Sequence, residues 1–339
     1  MDCGVWVLGE ERNGTIHSVS YELLAWGRGL ADKLGEELTC VILGQSVLDQ
    51  AQELIYCGAD KVLVVNHADL GIFRVDPYAR ILEALIAQYR PEILLASATT
   101  MGRTVMPVLA ARIHTGLTAD CTGLDIDAEE RLLLQTRPAI GGNVMATIKT
   151  PKHRPQMATV RPKSKRPLPR DPARQGEIVE ERFDESLLTS RVVRTGFEPD
   201  TTSDAPIQDA DIVVAGGKGF KNAKGFAQAF EIAKRVGGAV GASRTAVDQG
   251  WVPYSHQVGL SGKSVTPKLY MALGISGSPN HLAGMSSAEV VVAVNKDLEA
   301  NIFKVADFGI VGDLGEIIPV LLERLDRPSM QLPKEGSLK

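Results

Sequence analysis

The first hundred residues alternate short apolar runs with stretches in which apolar residues return every three or four positions. The runs at 4–8, 38–43, 61–65 and 92–96 have the length and content of strands, and the stretches at 18–34, 48–56, 77–89 and 104–113 carry helical spacing. Strand and helix in alternation predict a parallel sheet covered on both faces. Beyond it the period shortens to two, and 131–136, 143–148 and 156–160 are expected as antiparallel strands appended to that sheet. Segment 150–174 (TPKHRPQMATVRPKSKRPLPRDPAR) is too rich in proline for a helix and predicts one strand inside a long surface connection. Its basic cluster Arg161, Lys163, Lys165 and Arg166 is either a solvated loop or a grip for an acidic partner, and no site is assigned to it.

The run FEPDTTSDAPI, 197–207, is polar and turn-rich and predicts a linker. A second series of the first kind follows: a strand at 211–215, the turn GGKG at 216–219, a helix at 223–235, strands at 239–241, 289–294 and 308–311, and a closing helix at 314–325. The expected class is therefore α/β with two domains, 1–196 and 208–327, and a tail at 328–339. Each domain is expected to be a mostly parallel sheet flanked by helices, the second one doubly wound.

Composition narrows the function classes. A chain of 339 residues is the right length for two domains. With 44% hydrophobic and 23% charged residues and a net charge of -4, nothing suggests a nucleic-acid scaffold. Cys3, Cys40, Cys57 and Cys121 lack the spacing of a zinc or iron–sulfur site and are expected as reduced, mostly buried thiols. No apolar run reaches membrane-spanning length and the N-terminus carries no secretory pattern, so a cytoplasmic protein without membrane contact is expected.

Candidate chemistry concentrates in the second domain, where glycine recurs beside small polar residues: GGKG, GGAVGASR at 237–244, VGLSGK at 258–263 and GISG at 274–277. Such turns let the backbone approach a ligand and present amide N–H groups to phosphate, although each is equally a structural turn. Four of them suggest a dinucleotide. No GxGxxG follows the first strand, so the ordinary nicotinamide fingerprint is absent. Arg244 follows a predicted strand and would set a permanent cation against a planar ring or an anion. His281 could donate to developing negative charge or serve as a structural hydrogen-bonder. Asn295 and Asp313, each just after a strand, suit adenine or ribose contacts but also turns and caps.

The run GGAVGASRTAVDQGWVPYSHQVGLSGKSVTPKLYMALGISGSPNHLAGM, 237–285, resembles the FAD-binding signature of electron-transfer flavoprotein alpha subunits. VNKDLEANIFKVADFGIVGDL at 294–314 continues it, and TRPAIGGNVMATIKTPKHRPQMATVRP at 136–162 resembles the same family's first domain. The resemblance implies one FAD in the second domain. Arg244 would stack over the isoalloxazine, Ser261 would hydrogen-bond its N5 or O4 edge, and His281 would face the C2 carbonyl. Val258, Gly259 and Leu260 would line the same loop, and Ser276, Gly277, Ser278, Pro279 and Asn280 would take the diphosphate and ribityl chain. Lys218, Ser243, Asn295, Asp313 and Leu314 would reach the diphosphate or adenosine end. A cation and donors near N1 and C2 would favour the reduced, anionic flavin.

Three positions depart from the family's usual pattern. Lys218 stands where Arg is common, Leu260 where Gln is common, and Pro279–Asn280 where an apolar residue and Gln are common. The first and third bear on diphosphate contacts, the second on access beside the flavin.

The resemblance also implies partners: a homologous beta subunit packed on the first domain, which has no cofactor of its own, and an acyl-CoA dehydrogenase such as butyryl-CoA dehydrogenase. The FAD domain would swing on the linker between electron donors and acceptors. Two classes remain open, a carrier with AMP in the beta subunit and a bifurcating form in which NADH and ferredoxin engage through a second FAD there. The MDCGVWVLGE start resembles anaerobic bacterial members and favours bifurcation. Readings outside the family are a free-standing flavin or nicotinamide dehydrogenase, disfavoured because only His281 offers a base, and a nucleotide-binding regulator, disfavoured by the flavin-facing trio.

Overall fold

The computed structural model describes residues 3–12, 14–139, 144–196 and 207–326. The chain forms two compact units, 1–197 and 198–339. The predicted linker, except for Ile207, and the predicted tail lie outside the described residues, as does Asn143 at the start of one predicted strand.

In the first unit β1 (Val5–Gly9) leads through a short hairpin, β2 (Glu11–Arg12) and β3 (Thr15–Ile16), into α1 (Val19–Leu34). Alternation continues with β4 (Leu38–Gly44), α2 (Ala51–Tyr56), β5 (Lys61–Asn66), α3 (Val75–Tyr89), β6 (Ile93–Ser97) and α4 (Thr100–Arg112). The helix α4 starts four residues before its apolar periodicity because the Thr99 hydroxyl accepts from Gly102 N at 3.2 Å and caps it. Then come β7 (Leu117–Cys121), β8 (Gly123–Asp127), β9 (Leu132–Pro138), β10 (Met145–Ile148), β11 (Gln156–Val160) and β12 (Glu177–Glu180).

Seven strands form one parallel sheet in the order β12-β5-β4-β1-β6-β11-β7, with apolar clusters on both faces. Two sequence expectations need correction here. The strand at 156–160 is not antiparallel and not superficial: it lies parallel between β6 and β7 with every residue buried. Burial on both faces removes the polar–apolar alternation that marks an edge. The other two strands, β9 and β10, are antiparallel as expected, but with β8 they form a separate three-stranded sheet. The basic cluster is not a free patch either. Arg161 pairs with Asp120 at 2.7 Å, and Lys165 Nζ sits 4.5 Å from the centre of the Trp26 ring. Cys40, Cys57 and Cys121 are buried and Cys3 is exposed, all as free thiols.

The second unit begins with Ile207, which is buried in an apolar cluster and so belongs to this core rather than to a solvated linker. Its elements are β13 (Ile212–Gly216), α5 (Ala223–Val236), β14 (Ala239–Ala242), α6 (Arg244–Asp248), β15 (Leu269–Leu273), α7 (Pro279–Leu282), β16 (Val290–Asn295), β17 (Phe308–Val311) and α8 (Leu314–Asp326). The sheet is parallel throughout, in the order β14-β13-β15-β16-β17. The strand β15, absent from the sequence reading, is central and pairs along its length with β13 and β16. Among the described residues no helix is long and apolar enough to cross a membrane.

Candidate functional site

Parallel pairing brings the carboxyl ends of all five strands of the second unit to one edge. The order of strands reverses between β13 and β15, the position where open α/β sheets bind ligands. A cavity of about 800 Å³ lies there, lined by residues that follow each of the five strands. At about 4.8 Å per strand, four intervals span roughly 19 Å from the end of β14 to the end of β17. The site is a trough with two different ends.

Its floor is built by backbone packing. After β13 the turn through Gly217 and Gly219 lies against Gly274, which follows β15. A Cβ at Gly217 would stand 2.3 Å from Gly274 O, and one at Gly219 would stand 2.6 Å from Gly274 Cα. Gly219 N donates to Gly274 O at 3.0 Å, so the two turns are fastened where only hydrogen fits.

At the β14 end, Ser243 N donates to Gly216 O and Arg244 opens α6. The Arg244 side chain is 71% exposed, and Asp248 one turn on is its ion-pair partner at 3.3 Å. The Ser243 hydroxyl is buried without a hydrogen-bond partner. The loop after α6 returns along the trough: Val258 N donates to Ala242 O, and Leu260 N to Asn280 O. Gly259 holds φ +143, a conformation L side chains rarely adopt, and its missing Cβ would lie 2.9 Å from Asn280 O. The Ser261 hydroxyl accepts from Gln257 Nε2 at 3.1 Å, which leaves its proton for another acceptor.

His281 is buried beside this loop. Its Nε2 is 2.9 Å from the Tyr270 hydroxyl, while Nδ1 is buried without a partner of ordinary geometry. Burial pushes its pKa down to about 4, and the Val258 carbonyl opposes that shift. The ring is neutral at physiological pH. Burial holds the Tyr270 phenol protonated. A phenol donating to Nε2, with the Val258 carbonyl on the other side, favours the tautomer with its N–H at Nδ1.

At the β17 end the trough is ionic. Lys218, Lys221, Lys296, Asp297 and Asp313 all line it. Asp313 Oδ1 accepts from Gly315 N at 2.8 Å at the start of α8, and Lys221 Nζ lies 3.2 Å from Asp313 Oδ2. These contacts hold the Asp313 carboxyl below the usual range, the Gly315 N–H most of all. Asn295 spends both ends of its amide on the chain, donating to Ile275 O at 2.9 Å and accepting from Asp297 N at 3.0 Å.

Every residue singled out in the sequence lines this cavity except Leu260, Gly277 and Pro279. Leu260 turns its side chain outward and is 72% exposed, so this departure from the family pattern alters the outer surface rather than the trough. Gly277 packs against Ile302, where a Cβ would meet the backbone nitrogen at 2.3 Å. Pro279 occupies the first turn of α7, which needs no N–H there. Sequence reasoning missed Lys221, Gln257 and Lys296. Each stands within three residues of a recognised position, and that adjacency is the signal that could have found them.

The trough suits an elongated anionic ligand with a planar group at one end. It has a buried serine hydroxyl without a partner, a second hydroxyl with its proton unused, an exposed guanidinium and three lysines. Comparison with known proteins agrees. Residues 5–186 match the electron transfer flavoprotein domain, and 206–286 match the electron transfer flavoprotein FAD-binding domain. The electron transfer flavoprotein subunit alpha of Thermoanaerobacterium thermosaccharolyticum is 47% identical over 95% of this chain and 98% of its own length. That of Clostridium acetobutylicum is 45% identical over 95% and 96%. The acryloyl-CoA reductase electron transfer subunit beta of Anaerotignum propionicum is 40% identical over 95% of both. With a trough fit for a flavin and relatives aligned over 95% of its length, this chain belongs to the electron transfer flavoprotein alpha-subunit family.

Proposed function

We propose that the chain holds one FAD along the carboxyl edge of its second sheet. Paired with a beta subunit, it would relay electrons to or from an acyl-CoA dehydrogenase in the cytoplasm. The observation that carries this is that Arg244, Ser261 and His281 line one trough together with Lys218, Lys221 and Lys296. Bound there, FAD supplies one- and two-electron carrier chemistry. The chain's own residues orient and charge-match it. The Arg244 guanidinium lies free enough to leave Asp248 and cover a ring face. Ser261 and His281 offer an O–H and an N–H to ring oxygens, donors that gain strength as negative charge grows there. Ser276, Ser278 and Asn280 line the same trough, as does Ser243 at its β14 end, and would meet the cofactor between its ring and its adenosine.

The first unit, 1–196, is assigned to the beta-subunit interface and carries no cofactor in this reading. A bifurcating role, with NADH and ferredoxin acting through a second FAD in the beta subunit, is favoured over the AMP-containing carrier. That preference rests on the resemblance of the MDCGVWVLGE start to anaerobic bacterial members. Purification with the beta subunit followed by cofactor extraction tests both levels. Two FAD per heterodimer support bifurcation and one FAD with one AMP supports the simple carrier. A heterodimer without FAD removes the proposal.

A further inference from the structure

We infer that Lys221 is a further dinucleotide-binding residue, held in reserve on Asp313 and transferred to the cofactor's diphosphate when FAD enters. The inference rests on the FAD reading above and extends it to a residue to which the sequence resemblance gave no role.

Three observations converge on it. Lys221 closes the Gly217–Lys221 turn, donating its backbone N–H to Lys218 O at 3.0 Å, and adopts φ +68. That left-handed conformation costs a lysine what it would not cost a glycine, yet it aims this side chain across the mouth of the trough. The turn is fastened at Gly219, whose N–H donates to Gly274 O at 3.0 Å and where a Cβ would meet Gly274 Cα at 2.6 Å and Leu314 Cδ1 at 3.3 Å. The partner, Asp313 Oδ2, stands at 3.2 Å on the far side, with both side chains well exposed at 67% and 39%. An exposed pair of this kind contributes little stability, so its exchange for another anion is cheap.

Charge decides the direction of exchange. Lys218, Lys221, Lys296, Asp297 and Asp313 line the trough and sum to a single net positive charge, and Lys221 and Lys296 both act on Asp313. A diphosphate brings two negative charges. Lys221 is the lysine whose ammonium stands on a carboxylate oxygen of this group, Asp313 Oδ2 at 3.2 Å. On transfer it releases Asp313 Oδ2, while Asp313 Oδ1 keeps its place on Gly315 N. The freed oxygen is then an acceptor for a ribose hydroxyl. The pair thus pre-orders both halves of a contact that anion and sugar divide between them.

The test compares wild type, Lys221→Met and Lys221→Arg as full-length chains, purified with the beta subunit and stripped of flavin, titrated separately with FAD and with riboflavin. Riboflavin has the ring and ribityl chain but no phosphate. The expected result is FAD binding about tenfold weaker in Lys221→Met, the loss of one charge-assisted contact, with most of it regained in Lys221→Arg. Riboflavin affinity should be the same in all three. The FAD affinity of wild type should also fall more steeply with salt than that of Lys221→Met. Equal FAD affinity in wild type and Lys221→Met overturns this inference alone. Equal losses for FAD and riboflavin also overturn it, because they reveal a disturbed turn rather than a lost phosphate contact. A wild type that takes up neither flavin overturns the FAD reading beneath it.

Discussion

Protonating His281 should loosen the second unit, and the structure sets the size of the effect. Its imidazole is buried, with a pKa pushed down from 6.5 to about 4 by loss of hydration. Between those values the unfolded chain binds the proton and the folded one does not, so stability rises with pH across the window and is lost as pH falls through it. A difference of some 2.5 units at 1.36 kcal/mol each corresponds to ~3 kcal/mol between pH 7 and pH 4. A His281→Gln variant keeps a neutral amide at the site and removes the titration. Urea unfolding followed through Trp251, in a Trp6→Phe and Trp26→Phe background, reports on this unit alone, which matters in a chain of two units. The wild-type midpoint should fall from pH 6.5 to pH 4 more steeply than that of His281→Gln. In parallel the His281 ring proton should show no titration by NMR above about pH 5. Parallel pH profiles for the two proteins, or an NMR titration near the ordinary histidine value, would refute the assignment of a neutral buried donor.

The remaining expectations are simpler. Gly219→Val places a side chain where a Cβ already meets Gly274 Cα at 2.6 Å, and overpacking of this kind costs about 1–3 kcal/mol. The purified variant should be colourless and melt lower than wild type, and a flavin spectrum of normal intensity would count against the packing argument. Arg244→Ala should lower the flavin's reduction potential by roughly 20–40 mV, the worth of an exposed cation over a ring; spectroelectrochemical titration with no shift would remove that role. Tyr270→Phe strips the buried His281 Nε2 of its partner and should destabilise the unit by about 1–3 kcal/mol in thermal melts. An aromatic thiol reagent should modify Cys3 alone under native conditions, since Cys40 and Cys121 are buried with pKa values raised to about 12. Prompt reaction of a second thiol would contradict that burial.

Much of this architecture is legible in the amino-acid order where an element's environment leaves a periodic mark. α1, α3 and α5 each bury one face, and β1, β4, β5 and β6 are apolar runs flanked by such helices. β11 is legible as a strand but not as a central one, and β15 escapes altogether, for opposite reasons. The first is bracketed by Pro155 and Pro162, which signal loop, and only long-range pairing makes it a core strand. The second is hidden among glycine turns and shows no alternation because both faces are covered. In the trough, glycine clusters disclose where backbone approaches a ligand. Sequence does not disclose which way a side chain leaves a loop. Leu260 and Ser261 are neighbours, yet one faces solvent and the other the cavity.

The late insertion of β11 between β6 and β7 has a consequence for biosynthesis. Among the described residues β7 has no neighbour in its sheet other than β11, so while residues 156–160 are still in the ribosome the strand already made at 117–121 lacks its partner. The open flank of β6 waits for the same five residues. The first unit therefore closes late in its own synthesis. A chain interrupted near residue 150 would present two raw strand borders, a natural handle for chaperones and a reason for such fragments to aggregate.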